Sequence, residues 1–224
     1  MTTIETPTNP TITDINHIMY INLDHRQDRR EHVVNELLKV GFLENAIERF
    51  SAIPFNIPAI GCSLSHLKCL EKAKSLNWDY LLIVEDDITF LNPYLFKTQF
   101  NKLLTSHTDW DVVMLGGNNC GPYQIQSDCS VKITRCASAI GYLVKNSYYD
   151  TLINNYRNGI QLFLNNIKLP MKFAIDTYWF SLQNQHNWYL VYPLSVSQKV
   201  CFSDIEKRIV NYDHYMLVLD KSKR

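Results

Sequence analysis

Tyr80-Leu81-Leu82-Ile83-Val84-Glu85-Asp86-Asp87 runs five apolar residues straight into three carboxylates. A short, continuous, branched-rich apolar run fits a strand covered on both faces, as in the middle of a mostly parallel sheet. The C-terminal end of such a strand is where open α/β sheets bind ligands. Adjacent acids repel one another, and strand alternation predicts Glu85 and Asp87 on one side with Asp86 on the other. A divalent cation relieves that repulsion. Oxygen-only donors favour magnesium or manganese over zinc, and such ions keep waters and hold substrate phosphates. The plainer alternative is a solvated acidic loop after a core strand.

Strand and helix signals alternate outward from this run. Ile18 to Leu23 reads as a first strand. Asp28 followed by Glu31 has the spacing of a helix N-cap with its reciprocal acid. The helix should reach Gly41, with Val33, Val34, Leu37 and Leu38 buried. Ser51 to Ile53 reads as a short strand, and a helix carrying Leu64, Leu67 and Leu70 precedes the acidic strand. Asn92-Pro93 opens a helix with Phe96, Phe100, Leu103 and Leu104 on one side. Val112 to Leu115 is another buried strand. Residues 118–135 are polar and poor in periodicity, which predicts a long functional loop over the site. Strands at 138–144 and 188–192, a helix at 147–156 and a helix or turn at 174–185 complete an α/β sandwich.

The chain has 224 residues, 46% hydrophobic and 20% charged, with 22 basic and 22 acidic side chains. That balance lacks the basic excess of a nucleic-acid binder, so no nucleic-acid partner is expected. Residues 1–16, rich in Thr, Pro and Asn, read as a disordered tail without a signal peptide, and 17–220 as one domain. No apolar stretch approaches the roughly 20 residues needed to span a bilayer. The six cysteines lack paired CxxC spacing and read as reduced thiols, with a bridge inside 120–136 as the alternative in an oxidising compartment. A cytoplasmic protein is expected.

Asp176 lies in Phe173-Ala174-Ile175-Asp176-Thr177-Tyr178-Trp179, a lone acid among apolar and aromatic residues. Burial there raises a carboxylate's pKa toward useful basicity, making Asp176 a candidate catalytic base; a helix-capping Asp is the alternative. Arg26, Arg29 and Arg30 sit near a predicted helix start, where their charge opposes the helix dipole and a phosphate would relieve it. Arg29 is the foremost of these.

Several separated stretches occur in one order: Tyr20-Ile21-Asn22-Leu23-Asp24 with Arg26, Asp28, Arg29 and Arg30; Gly61-Cys62-Ser63-Leu64-Ser65-His66-Leu67; and Leu82 to Asp87. Leu115-Gly116, Ala139, Gly141-Tyr142, Asp176, Pro193, Gln198 and Ser203-Asp204-Ile205 follow. Together they resemble glycosyltransferase family 25, which includes lipopolysaccharide-biosynthesis and procollagen galactosyltransferases, over roughly Ile18 to Ile205.

The resemblance implies a GT-A type fold and inverting transfer of a hexose, galactose or glucose, from a UDP-sugar to a hydroxyl on a glycan, lipid-linked glycan or protein. Manganese is the usual metal, with magnesium the alternative. Glu85-Asp86-Asp87 takes the place of the DxD motif. Asp87 is then the first choice for metal contact, and Glu85 or Asp86 touches the ribose or a metal-bound water. Asn22, Leu23 and Asp24 fall where the family places its nucleotide pocket. His66 reads as donor-binding, against the common alternative of a satisfied structural histidine. His214 is a candidate further metal ligand, as in some GT-A enzymes. Two other classes fit less well: a two-metal phosphohydrolase, for which few further acids are available, and a non-catalytic nucleotide-sugar binder.

Overall fold

The computed structural model describes residues 10–203 and 205–221. Ile18–Asn22 forms β1, buried along its whole length, and helix α1 (Gln27–Val40) leads to a parallel neighbour, β2 (Ile47–Ser51). Helix α2 (Pro58–Ser75) crosses to β3 (Tyr80–Glu85), parallel to β1 on its other side. Asp86 and Asp87 form a turn into β4 (Ile88–Phe90), and helix α3 (Pro93–Ser106) returns to β5 (Val112–Met114). The short β6 (Asn118–Asn119) and β9 (Cys136–Ala137) pair with each other, enclosing a hairpin of β7 (Tyr123–Ile125) and β8 (Ser130–Ile133).

β10 (Gly141–Lys145) then inserts antiparallel between β3 and β5. Helix α4 (Tyr149–Asn165) and the short α5 (Pro170–Phe173), α6 (Ile175–Tyr178) and α7 (Phe180–Gln185) lead to β11 (Trp188–Val191). β12 (Val196–Gln198) pairs with β4, β13 (Cys201–Ser203) with β14 (Arg208–Val210), and α8 (Asp213–Met216) follows.

The main sheet has the order β2-β1-β3-β10-β5-β11-β8-β7. Six of its strands point one way, with β10 and β8 against them. The expected mostly parallel sheet flanked by helices is therefore present. β3 shows why its sequence is apolar throughout. Leu81 and Ile83 join the core under α2 and α4, whereas Leu82 and Val84 join the core under α1 and α3. All four are fully buried, each contributing about 1.5–3 kcal/mol of transfer free energy.

Helix signals were legible in detail for α3: Asn92 Oδ1 accepts from the Leu95 N–H at 3.0 Å, and the buried face is Phe96, Phe100, Leu103 and Leu104. Gly41 closes α1 at φ +95°, the left-handed cap that favours glycine. The other end of α1 differs from expectation. Its N-cap is Arg26, and Asp28 lies in the first turn paired with Arg26. The buried stripe is Arg29, Val33, Glu36, Leu37 and Val40, leaving Leu38 38% exposed.

Two further expectations need correction. Ile12 and Ile15 are buried in the core beside α3, so ordered chain begins before residue 17; the first nine residues lie outside the described ones. Residues 118–135 are not a structureless loop, because β7 and β8 extend the main sheet by two strands. All six cysteines are unbridged.

Candidate active site

The C-terminal ends of β1 and β3 open into a cleft of about 840 Å³ whose floor is Glu85, Asp86 and Asp87. The three acids do not alternate as along a strand, since β3 ends at Glu85 and the chain turns at the next two residues. All three line the cleft.

Asp86 is held by two buried donors. Asn22, the last residue of β1, donates from Nδ2 to Asp86 Oδ2 at 2.7 Å, and Arg29 Nη1 lies 2.8 Å from Asp86 Oδ1. The same Nη1 is 3.2 Å from Asp87 Oδ2, while Nη2 reaches Cys201 Sγ at 2.9 Å and the Phe202 carbonyl at 3.0 Å. Burial opposes the Arg29 charge, but Asp87 and Asp86 more than offset it and raise its pKa. Arg29 thus clamps two acids and the β13 strand together while lining the cleft.

Glu85 faces helix α2. Cys62 Sγ donates to Glu85 Oε1 at 3.4 Å, and His66 Nε2 lies 3.5 Å from the same oxygen. Cys62 and His66 are four residues apart and so share one helix face. The surrounding sequence explains how that face meets the cleft. A Cβ at Gly61 would collide with the Ile53 carbonyl, so glycine lets the 52–55 loop lie against the helix. Ser65 Oγ accepts from the Ile53 N–H at 2.9 Å and donates to the Gly61 carbonyl at 2.7 Å, fastening the loop as one wall. His66 is fully buried behind Glu85.

Asp87 is 9% exposed, with Gln198 Nε2 3.4 Å from Oδ1. Burial, followed by the like charge of Glu85, pushes its pKa up to about 7 against the opposing pull of Arg29. Glu85 moves the other way. Burial raises it, but the His66 imidazole beside it, the Cys62 thiol and the Arg29 charge outweigh that and hold its pKa below the ordinary value.

Asp176 lies in the first turn of α6 and lines the same cleft. Its Oδ2 accepts from the Ser138 N–H at 3.1 Å. Ser138 adopts φ +76°, a costly conformation for a side-chain-bearing residue, of the kind concentrated at functional sites. Burial raises the Asp176 pKa, the Ser138 N–H lowers it, and Glu85 raises it further.

Leu23 lines the cleft as expected, whereas Asp24 is exposed and accepts from Ser51 Oγ at 2.7 Å while pairing with Arg49. His214 does not join the acids. It is exposed on α8 with its ring 3.8 Å from that of Tyr215, and Tyr215 rather than His214 lines the cleft. Asp204 lies outside the described residues. Ser138 and the Tyr156 hydroxyl behind His66 carried no signal that single-sequence reading could use; Cys62, Tyr142 and Gln198 appeared only within the ordered set of motifs.

Residues 54–136 match the family model described as Glycosyltransferase family 25 (LPS biosynthesis protein). Over this region the chain is similar to glycosyltransferase family 25. A "Glycosyltransferase 25 family member" of Aedes aegypti is 28% identical over 130 residues, and one of Anopheles gambiae 26% identical over 129. Each alignment covers 46% of this chain but only 21% and 22% of those relatives, so the chain spans about a fifth of their length. Among solved structures, a mannose-1-phosphate geranyltransferase from Thermus thermophilus is similar with a TM-score of 0.47 and 9% identity, covering 79% of this chain and 73% of that one. The family 25 region contains the Gly61–His66 wall and the acidic turn, while Asn22, Arg29 and Asp176 lie outside it.

Proposed function

We propose that this cleft transfers a hexose, galactose or glucose, from a UDP-sugar to a hydroxyl on a glycan, lipid-linked glycan or protein, on a GT-A type fold. The observation that carries the reading is the gathering of Glu85, Asp86, Asp87 and Asp176 in one cleft with a single guanidinium, Arg29, paired to the acids. Among the described residues only Arg29 pairs with these acids, while Arg26, Arg135 and Lys207 also line the cleft. Its oxygen donors suit manganese or magnesium. Glu85 and Asp87 would hold the ion, and the upward push of Glu85 on Asp87 is the repulsion that a cation reverses.

Bound there, the metal supplies electrostatic stabilisation of the charge growing on a departing diphosphate. The chain's own groups do the rest. Arg29 and Asn22 keep Asp86 fixed, so the acidic turn needs little reorganisation when substrate arrives. Asp176, oriented by the Ser138 N–H, takes the proton of the acceptor hydroxyl as that oxygen attacks the anomeric carbon, with inversion. Burial favours its protonated form and so strengthens it as a base. Leu23 and Phe55 offer apolar surface to the nucleoside and sugar.

The deciding experiment is a thermal-shift panel of UDP-, GDP- and CMP-sugars with and without manganese, followed by product detection with the responding donor. A manganese-dependent rise with UDP-galactose or UDP-glucose is expected. No shift with any nucleotide sugar would sink the proposal.

A further inference from the structure

Behind Glu85 a line of buried polar groups runs into the core. Tyr156 Oη donates to Tyr142 Oη at 3.0 Å, and Tyr142 Oη is 3.0 Å from His66 Nδ1. The Tyr142 and His66 rings lie nearly parallel, 14° apart. All three side chains are fully buried, in a part of the core otherwise built of apolar groups such as Leu70 and Trp179. Such groups are costly to bury unless each finds a partner.

The direction of the line follows from counting hydrogens. A phenol has one hydrogen to give. Tyr142 Oη already receives the hydrogen of Tyr156, so its own points at His66 Nδ1. A ring nitrogen that accepts carries no hydrogen, which leaves the imidazole proton on Nε2. Were the proton on Nδ1, Tyr142 Oη would accept from both neighbours, its own buried hydrogen would lose this acceptor, and Nε2 would turn a lone pair toward Glu85 Oε1. Nε2 is buried and has no hydrogen-bond partner at ordinary distance among the described residues; Glu85 Oε1 stands 3.5 Å in front of it.

We propose that His66 is a positioning residue for Glu85: Tyr156 and Tyr142 fix its imidazole in the Nε2–H form, and that N–H steers the Glu85 carboxylate. Cys62 Sγ reaches the same oxygen from the preceding helical turn. Both contacts fall on Oε1, leaving Oε2 available to the cleft. The two tyrosines set the proton, the histidine carries it, and the acid is aimed without contributing any of them to the substrate surface. Supporting groups of this kind commonly change metal affinity or activity by about 10–100-fold when removed. The steering role rests on the metal reading above, whereas the tautomer does not.

Long-range ¹H–¹⁵N correlation of the imidazole nitrogens in the full chain tests the first part. Wild type is expected to show the Nε2–H pattern for His66, and Tyr142→Phe a mixture of both tautomers in a folded protein. An Nδ1–H or doubly protonated ring in wild type at neutral pH overturns the proposal. Manganese titration tests the second part. His66→Leu, which keeps bulk and loses the donor, should bind manganese about tenfold or more weakly. His66→Gln, whose Nε2 still offers an N–H, should recover most of that affinity. Equal affinity in the leucine variant and wild type rejects steering, as does an equal loss in both variants with equal stability. Should wild type itself bind no manganese, the functional proposal fails and the steering role falls with it, while the ¹⁵N pattern still decides the tautomer.

Discussion

Arg29 and Asp86 meet at 2.8 Å beneath the cleft, joining the first turn of α1 to the turn that follows β3. Both side chains are close to nine-tenths buried, and the same guanidinium also reaches Asp87 and the Phe202 carbonyl. The pair therefore sets the shape of the floor more than its charge.

Removing one member leaves the other buried without its counter-charge. Arg29→Ala is expected to lower unfolding free energy by about 3–5 kcal/mol. Arg29→Lys should fall between, since a single ammonium cannot reproduce the fork that spans two acids and a carbonyl. Urea unfolding followed by circular dichroism measures both. A loss below about 1 kcal/mol for the alanine variant would show that the clamp is not structural.

Asp176 and Asp87 should separate by what each variant loses. Asp176→Asn is expected to reduce turnover about 10²–10⁴-fold while leaving the metal-dependent thermal response to UDP-sugar intact. Asp87→Asn should abolish the response itself. His214→Ala should leave both unchanged, because His214 lies outside the cleft lining. A metal response lost in the His214 variant would return that residue to the site.

Gly61 and Ser65 fasten the 52–55 wall. Gly61→Ala places a methyl group against the Ile53 carbonyl and should cost about 1–3 kcal/mol, as overpacking does. Ser65→Ala, which leaves the Ile53 N–H without its acceptor, should cost about 1–3 kcal/mol. Thermal or urea denaturation reads both, and a neutral Gly61→Ala would mean that the loop does not rest on the helix.

Acid sensitivity of the fold should come partly from His32. Its Nε2 contacts the Ile88 carbonyl at 2.9 Å, and burial, then the nearby Lys199 charge, lowers its pKa despite Glu36. A base with a depressed folded-state pKa binds fewer protons folded than unfolded, so its contribution is complete above the unfolded value near 6.5 and declines as pH falls through it. His17, lowered chiefly by burial and stacked on Trp78, acts in the same direction. Stability of His32→Gln should depend less on pH between about 7 and 5.5 than wild type. Parallel pH curves for the two proteins would remove His32 from the account.

The parts of this architecture legible in sequence were those set by local rules. β3, the α3 cap and the acid cluster follow from periodicity, capping chemistry and charge repulsion, all within a few residues. Glu36 was hidden because a charged residue on a helix reads as solvent-facing, and Arg29 was legible only as a candidate phosphate contact; tertiary structure reveals that the Phe90 N–H donates to Glu36 and that Arg29 pairs with Asp86 and Asp87. The side assignment of Glu85, Asp86 and Asp87 failed because alternation stops where the strand stops. β7 is short and largely exposed at the sheet edge, and β8, although Val131 and Ile133 are buried, spans only four residues, too few for its alternation to stand out in a polar stretch. His214 was placed by family habit, and the fold of the C-terminal segment puts Tyr215 on the cleft instead.

The antiparallel insertion of β10 has a last consequence. By pairing β3 on the side away from β1, it seals the acid-bearing strand between two neighbours along nearly its full length. Local opening is rarest in such interior strands and commonest at surface segments. The acidic turn is thus anchored to the least yielding part of the molecule, while the 52–55 loop and the β13–β14 hairpin lie outside the main sheet.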